Sequence, residues 1–370
     1  MVINEEDDVQ SAGIRGRLGE LCYASGLLRP LQHARLYMRQ DLRILAYHRV
    51  LTLPDSRGFD FDLALISASV ELFREQMLLL KRRFRPMRLS DVVAALDSGS
   101  RLPANAVVVT FDDGYDDNYH VAYPILRELG IPATFFVSTG HIDSGQPFAY
   151  DWLVHMLLRT SAQQLVLPEL ELDVPIPVER AARRELGASV LRHMKLFDDA
   201  AQQAAIKRME REWQMPREAA RPSECRPMNW DQLREMHAAG FEIGSHGVHH
   251  RMLAKLPQDQ MEEELMGSKA SLEREIGVSA MLLSYPVGGD LAFDDGVIKA
   301  TAAAGYRAAC SYICGTNLHS ATNRYALFRL PVERTMGMGW FAAMLTLPEL
   351  MGYPTASRAG IAEPVQACSC

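Results

Sequence analysis

Six short runs of apolar and β-branched residues, at 43–50, 106–111, 133–138, 241–245, 281–285 and 308–311, alternate along this chain with segments of helical periodicity. Runs that are apolar throughout belong in sheets covered on both faces, and strands spaced by amphipathic helices pair in parallel. The chain therefore reads as an α/β protein, with a parallel sheet or barrel. Among the spacers, residues 69–83 place Phe73, Met77 and Leu80 on one helix face, and Ser90 is a candidate N-cap for the next helix. Further helices are expected at 119–129, 230–239, 258–276 and 295–304.

The alternation is interrupted between residues 146 and 226. There Leu170, Leu172, Val174 and Ile176 alternate with polar residues or Pro175 and precede a charged helical stretch at 178–214, the pattern of a small hairpin plus helices over one rim. Residues 1–42 form an arm of one or two short helices. In it Ile14, Leu18 and Leu21 recur at helical spacing, followed by Leu27, Leu28, Leu31 and Leu36 among Arg29, Arg35, Arg39 and Arg43. The second group suits an arm packed on the domain with its arginines in solvent, or a helix lying on an anionic membrane surface as a peripheral contact. The expected division is an arm at 1–42, a barrel domain at 43–345 interrupted at 146–226, and a C-terminal tail at 346–370.

A formal charge of −7 argues against a partner held by phosphate neutralisation, so no nucleic-acid ligand is expected. Residues 1–8 are acidic and lead into no apolar core of a signal peptide, and no window approaches the roughly 20 apolar residues of a membrane span. A cytoplasmic chain is the expectation. The six cysteines are too scattered for a disulfide framework, and Cys368 with Cys370 makes an incomplete soft-metal pair.

Chemistry concentrates in two segments. Val107-Val108-Val109-Thr110-Phe111-Asp112-Asp113-Gly114-Tyr115 delivers two adjacent carboxylates onto a glycine turn, and paired carboxylates at a strand end call for a cation or a proton to move. Ser245-His246-Gly247-Val248-His249-His250 supplies imidazoles four apart, which share one face if the chain turns helical after its strand. Asp113, His246 and His250 then make a two-histidine, one-carboxylate set that suits Zn²⁺, or Co²⁺, Ni²⁺ and Fe²⁺, while Asp112 is left free as a base. Both segments close predicted strands, at the end of an α/β barrel where sites are built.

These segments, with Gly130-Ile131-Pro132-Ala133-Thr134-Phe135-Phe136-Val137, resemble the polysaccharide deacetylases, the NodB-homology or carbohydrate esterase 4 family. The resemblance covers about 43–140 and 228–345. It implies a distorted, seven-stranded (β/α) barrel in which Asp113, His246 and His250 hold a divalent metal, usually zinc, and Asp112 is the general base. The backbone N–H of Tyr115 would face the developing oxyanion as an acetamido sugar loses its acetyl group.

Two family features are missing. Where many members have Arg-x-Pro-Tyr, this chain has Ser284-Tyr285-Pro286-Val287-Gly288-Gly289, without the arginine that orients the base. The C-terminal Leu-x-His motif is not visible at Leu345-Thr346-Leu347. Tyr47-His48-Arg49-Val50 resembles the opening of a permuted branch typified by exopolysaccharide and biofilm-glucosamine deacetylases, which makes His48 the candidate general acid, with a rim histidine as the alternative.

Tyr285, Pro286 and Trp152 are candidate sugar contacts, with His141 and Asp151 at the mouth of the insertion, and His249 is expected to point away. Asn317, His319, Arg329 and Glu333 lie near the closing segments, with no reason to choose among them. The reading is a metal-dependent amino-sugar N-deacetylase acting on a glycan, an oligosaccharide or a lipid-linked intermediate in surface-polysaccharide synthesis. Its rivals are a catalytically silent glycan-binding barrel and a metal amidohydrolase of non-sugar amides.

Overall fold

The computed structural model describes residues 13–220, 222–277, 279–318 and 323–353. The acidic residues 1–8, His319, Cys368 and Cys370 lie outside the described residues. Seven strands, β1 (Asp41–Tyr47), β2 (Ala106–Phe111), β3 (Thr134–Val137), β4 (Glu242–Ser245), β5 (Leu282–Ser284), β6 (Ala308–Cys314) and β7 (Leu327–Pro331), pair in parallel in chain order. β1 pairs with β2 from Arg43 opposite Val107 to Tyr47 opposite Phe111, and with β7 through Leu45 opposite Leu330, so the sheet closes into a barrel. β7 is the strand that the hydrophobic pattern did not reveal.

Around it lie α1 (Gly13–Ala24), α2 (Leu28–Met38), α3 (Val70–Arg83), α4 (Leu89–Ser98), α5 (Tyr123–Leu129), α6 (Ala149–Arg159), α7 (Arg180–Met194), α8 (Asp199–Glu212), α9 (Trp230–Ala238), α10 (Gln258–Ile276), α11 (Asp295–Ala303) and α12 (Met338–Thr346). No helix among the described residues is long and apolar enough to cross a membrane.

Strand alternation sets the site. Leu42, Ile44, Ala106, Val108, Phe136 and Leu327 cluster with Leu89, Val92 and Val93 of α4. Leu45, Tyr47, Val107, Val109 and Phe111 instead pack with Phe73 and Met77 of α3 and Phe341 of α12. Alternate residues of one strand therefore meet different neighbours, and continuing the even-numbered series past Val108 brings Thr110 and then Asp112 to the inner side of the mouth. Ser90 does not cap α4. The amides of Leu89 and Ser90 donate at 2.9 and 3.0 Å to the carboxylate of Glu242 on β4, a cap supplied from a distant strand.

Between β3 and β4 a separate core assembles. Leu153, Met156 and Leu157 of α6 pack with Leu165, Leu167 and Leu172 of an antiparallel hairpin, and with Val190, Ile206 and Met209 of α7 and α8. Phe59, Phe61 and Tyr115 join this cluster, tying it to the C-terminal end of the barrel strands.

α12 is buried from Gly339 to Thr346 because α1, α2 and α3 pack around it. The arm is held by charge as well as packing: Arg35 of α2 bonds to Asp41 at 2.5 Å and to Glu349 at 2.8 Å, and Arg43 donates to the Leu345 carbonyl at 2.7 Å. Arg35 and Arg43 are thus buried, whereas Arg29 and Arg39 are exposed.

Candidate active site

At the C-terminal ends of β1, β2, β4, β5 and β6 lies a cleft of about 410 Å³ whose floor includes His48, Asp112, Asp113, His246 and His250. The turn after β2 sharpens at once: Asp113 has φ 76° and Gly114 φ 88°, and a Cβ on Gly114 would sit 2.8 Å from Cγ1 of Val137. Left-handed backbone is costly for Asp and free for Gly, so this turn is held by its surroundings. The amide of Asp112 donates to Tyr47 O at 2.9 Å and that of Ser138 to Asp113 O at 3.4 Å.

The histidine segment does not turn helical. It forms an irregular loop in which Gly247 (φ 74°) and His250 (φ 57°) are left-handed, and that double reversal brings the two imidazoles together with ring centroids 4.8 Å apart. The carboxylate of Glu264 on α10 accepts the amides of Val248 and His249 at 2.7 and 2.9 Å and pins the loop. His249 is exposed and outside the cluster.

His246 Nε2 lies 3.4 Å and His250 Nε2 3.3 Å from Oδ1 of Asp113. Both carboxylate oxygens of Asp113 are buried and lack a hydrogen-bond partner among the described residues. Burial alone would raise the Asp113 pKa, but the two imidazoles outweigh it and hold the group well below the carboxylate range. His246 Nδ1 lies 2.7 Å from the Ser284 carbonyl, to which it donates, so Nε2 is the ring nitrogen turned toward Asp113. A buried, orphaned carboxylate facing two imidazole nitrogens is a donor set that fits a divalent cation.

Asp112 is handled differently. Arg329 of β7 donates Nη1 to Oδ1 at 2.8 Å and Nη2 to Oδ2 at 2.6 Å, and Ser284 Oγ lies 3.3 Å from Oδ2. The remaining Arg329 donors reach Ser311 O (2.6 Å), Thr110 Oγ1 (3.2 Å) and Ser284 Oγ (3.0 Å), so all five are used. Burial pushes Asp112 up, and the Arg329 guanidinium with His246 brings it below its ordinary value. The orienting arginine absent from the Tyr285–Gly289 segment is therefore supplied by β7.

His48 follows β1 and lines the cleft, its ring 5.4 Å from that of Tyr312, whose hydroxyl lies 3.1 Å from Glu333. The Tyr115 ring stacks 4.4 Å beneath the Arg49 guanidinium, and its hydroxyl lies 3.3 Å from Asp151. Tyr285 lines the cleft and donates to Tyr325 O at 2.9 Å, and Pro286 packs beside Gly247. Trp152 lies in the core of the inserted segment, donating its indole N–H to Met215 O at 3.0 Å, and does not line the cleft. The aromatic wall is instead Phe148 and Tyr150, with the Tyr150 ring 4.8 Å from His250. His141 also lines the cleft, and burial pushes it down to about 3, so it is neutral. Asp151 lies beneath the cleft, accepting from Asp62 N at 2.7 Å and Cys225 Sγ at 2.8 Å. Asn317 serves β7, exchanging hydrogen bonds with the Phe328 backbone.

Residues 99–309 match the polysaccharide deacetylase family. This chain belongs to that family. The Bacillus subtilis (strain 168) protein YxkH is 22% identical over 239 residues, 65% of this chain and 56% of its own length. The poly-β-1,6-N-acetyl-D-glucosamine N-deacetylase of Escherichia coli (strain K12) is 35% identical over 75 residues, 20% of this chain and 11% of its own. That of Staphylococcus aureus (strain N315) is 29% identical over 112 residues, 29% and 39% respectively. The chain thus spans between 11% and 56% of the length of these relatives. The same barrel recurs in the Streptococcus pyogenes deacetylase PplD (TM-score 0.55, 18% identity, 85% of this chain and 100% of that one) and in IcaB from Ammonifex degensii (TM-score 0.52, 19% identity, 83% and 97%). At these identities the likeness is one of fold.

Proposed function

We propose that this family member is a metal-dependent N-deacetylase that hydrolyses the acetamide of an N-acetylated amino sugar in a glycan, within surface-polysaccharide synthesis. One observation carries the reading: two adjacent carboxylates with opposite surroundings, Asp113 orphaned between two imidazoles and Asp112 clamped by Arg329. Environments that separate neighbouring carboxylates in this way assign them different tasks.

Asp113, His246 and His250 would hold the cation, with Zn²⁺ first among the candidates. When bound there, it supplies Lewis acidity to a water and to the acyl carbonyl, which a base of depressed pKa requires. Asp112 takes the proton of the attacking water, as its carboxylate accepts three donors and keeps a lone-pair site open. Water oxygen bonds to the acyl carbon, the carbonyl electron pair moves to oxygen, and the Tyr115 N–H faces that charge. The C–N bond then breaks, His48 delivers a proton to the departing nitrogen, and acetate and a free amine result. The inserted segment at 146–226, on this reading, forms the wall against which the sugar is bound through Phe148 and Tyr150. A silent, glycan-binding barrel drew its support from a missing arginine, and Arg329 removes that support.

The test is acetate release from N-acetylglucosamine oligomers together with metal content by mass spectrometry. Asp112→Asn and His48→Ala should each lose about 10²–10⁴-fold in kcat while retaining metal. A wild-type protein with stoichiometric metal that releases no acetate from any such oligomer overturns the proposal. Full activity in His48→Ala removes the acid assignment alone.

A further inference from the structure

The helix α1 is mounted with its large apolar side chains outward. The residues it buries are Gly16 and Gly19. A Cβ on Gly19 would come within 2.7 Å of the Trp340 backbone, so helix meets helix there with no side chain between them. Glu20, the only acid of α1, is tied to the Gly339 amide at 2.8 Å. On the other side Ile14, Leu18 and Leu21 are 86%, 47% and 67% exposed.

At 100° per residue these three lie within about 60° of one another, and Arg15 and Arg17 fall on the two flanks of that stripe. Both arginines are exposed. Half of the exposed large hydrophobic side chains among the described residues fall between Ile14 and Met38. From Gly13 to Arg39 the chain carries five arginines and the single acid Glu20, with four acids ahead of it at 5–8; Arg35 and Arg39 pair with Glu349, which leaves Arg15 and Arg17 as the cations of the α1 face.

We infer that the outer face of α1 docks on an anionic lipid bilayer, with Ile14, Leu18 and Leu21 sunk among the acyl-chain ends and Arg15 and Arg17 on headgroup phosphates. The stripe with cations on both flanks is what an interfacial helix requires. Its glycine face keeps the barrel attached during docking. A symmetric contact with a second copy of this face would set arginine against arginine, which is repulsive. The surface differs from the Leu27–Leu36 group that the sequence suggested: Leu28 is buried, and Arg35 and Arg43 are spent on Asp41, Glu349 and the Leu345 carbonyl.

The full chain is to be floated with vesicles of phosphatidylcholine mixed with phosphatidylglycerol, and with phosphatidylcholine alone. Wild type should partition onto the anionic vesicles and be released by salt. Leu18→Glu and Leu21→Glu should each weaken binding by about tenfold, as an apolar side chain is lost from the lipid. Arg15→Glu with Arg17→Glu should abolish the preference for phosphatidylglycerol. These positions are exposed and far from the deacetylase residues in sequence, so melting temperature and acetate release from a soluble oligomer should not change. Wild type that binds neither vesicle, or a Leu18→Glu protein that binds as wild type does, overturns the inference. So does a wild-type dimer, seen by light scattering, that becomes monomeric on Leu18→Glu, because the occupant is then a second copy.

Discussion

Arg329 and Asp112 are 217 positions apart in the chain and meet through two parallel hydrogen bonds of 2.8 and 2.6 Å, both side chains being buried. The pair orients the candidate base and keeps it ionised. Lysine carries the charge but not the planar fork. Arg329→Lys should therefore keep its metal and lose roughly 10²-fold in kcat, by misaligning the base. Arg329→Met, which strands a buried carboxylate, should lower stability by about 3–5 kcal/mol. Acetate assays, metal analysis and urea unfolding check each part, and an Arg329→Lys protein of wild-type rate would refute the orienting role.

If Asp113, His246 and His250 hold a cation as proposed, the orphaned oxygens of Asp113 make the cluster dependent on it. Chelation should lower the unfolding free energy by roughly 4 kcal/mol where the metal had been present at about a thousand times its Kd. Asp113→Ala and His250→Ala should lose both metal and activity. Calorimetry with and without chelator reads the first effect, and a melting temperature indifferent to chelator counts against a resident metal.

Asp151 gives the fold a pH dependence. Burial raises its pKa from 3.8 to about 6 against the opposing pull of Arg49. The folded state thus binds more protons than the unfolded one between these values, so this contribution is most favourable below 3.8 and is lost as pH rises through 6. The loss amounts to about 3 kcal/mol. Asp151→Asn has no such group to ionise, and its stability relative to wild type should rise with pH across that window. Urea midpoints measured at both ends of the window decide it. A difference independent of pH would mean that Asp151 ionises normally.

Gly114 combines φ 88° with a 2.8 Å approach to Val137. Gly114→Ala should cost about 1–3 kcal/mol through strain and overpacking and should move Asp113 relative to the histidines. Metal affinity is the sensitive readout, and tight wild-type binding in this variant would show that the turn yields elsewhere.

What the sequence determined by itself was local. Alternating apolar runs and amphipathic helices specify a parallel α/β barrel, since period 2 and period 3.6 are written in neighbouring residues. Asp112, Asp113, His246 and His48 could be singled out as candidates because each follows a strand that could be read, and His250 because it stands four residues after His246.

Tertiary structure decided what depends on distant residues meeting. β7 was missed because Leu327-Phe328-Arg329-Leu330-Pro331 is a five-residue run broken by a charge and ended by proline, and the charge that obscured the strand is the one that clamps Asp112. The only signal available was an arginine between Phe328 and Leu330, which has meaning once a carboxylate is known to face it. Trp152 looked like a sugar platform until packing gave its indole to Met215 and left the cleft wall to Phe148 and Tyr150. In α1, the glycines rather than the leucines face inward, because α12 approaches so closely that no Cβ fits at Gly19. Periodicity shows that a helix has two faces, and its neighbours select the one that is buried.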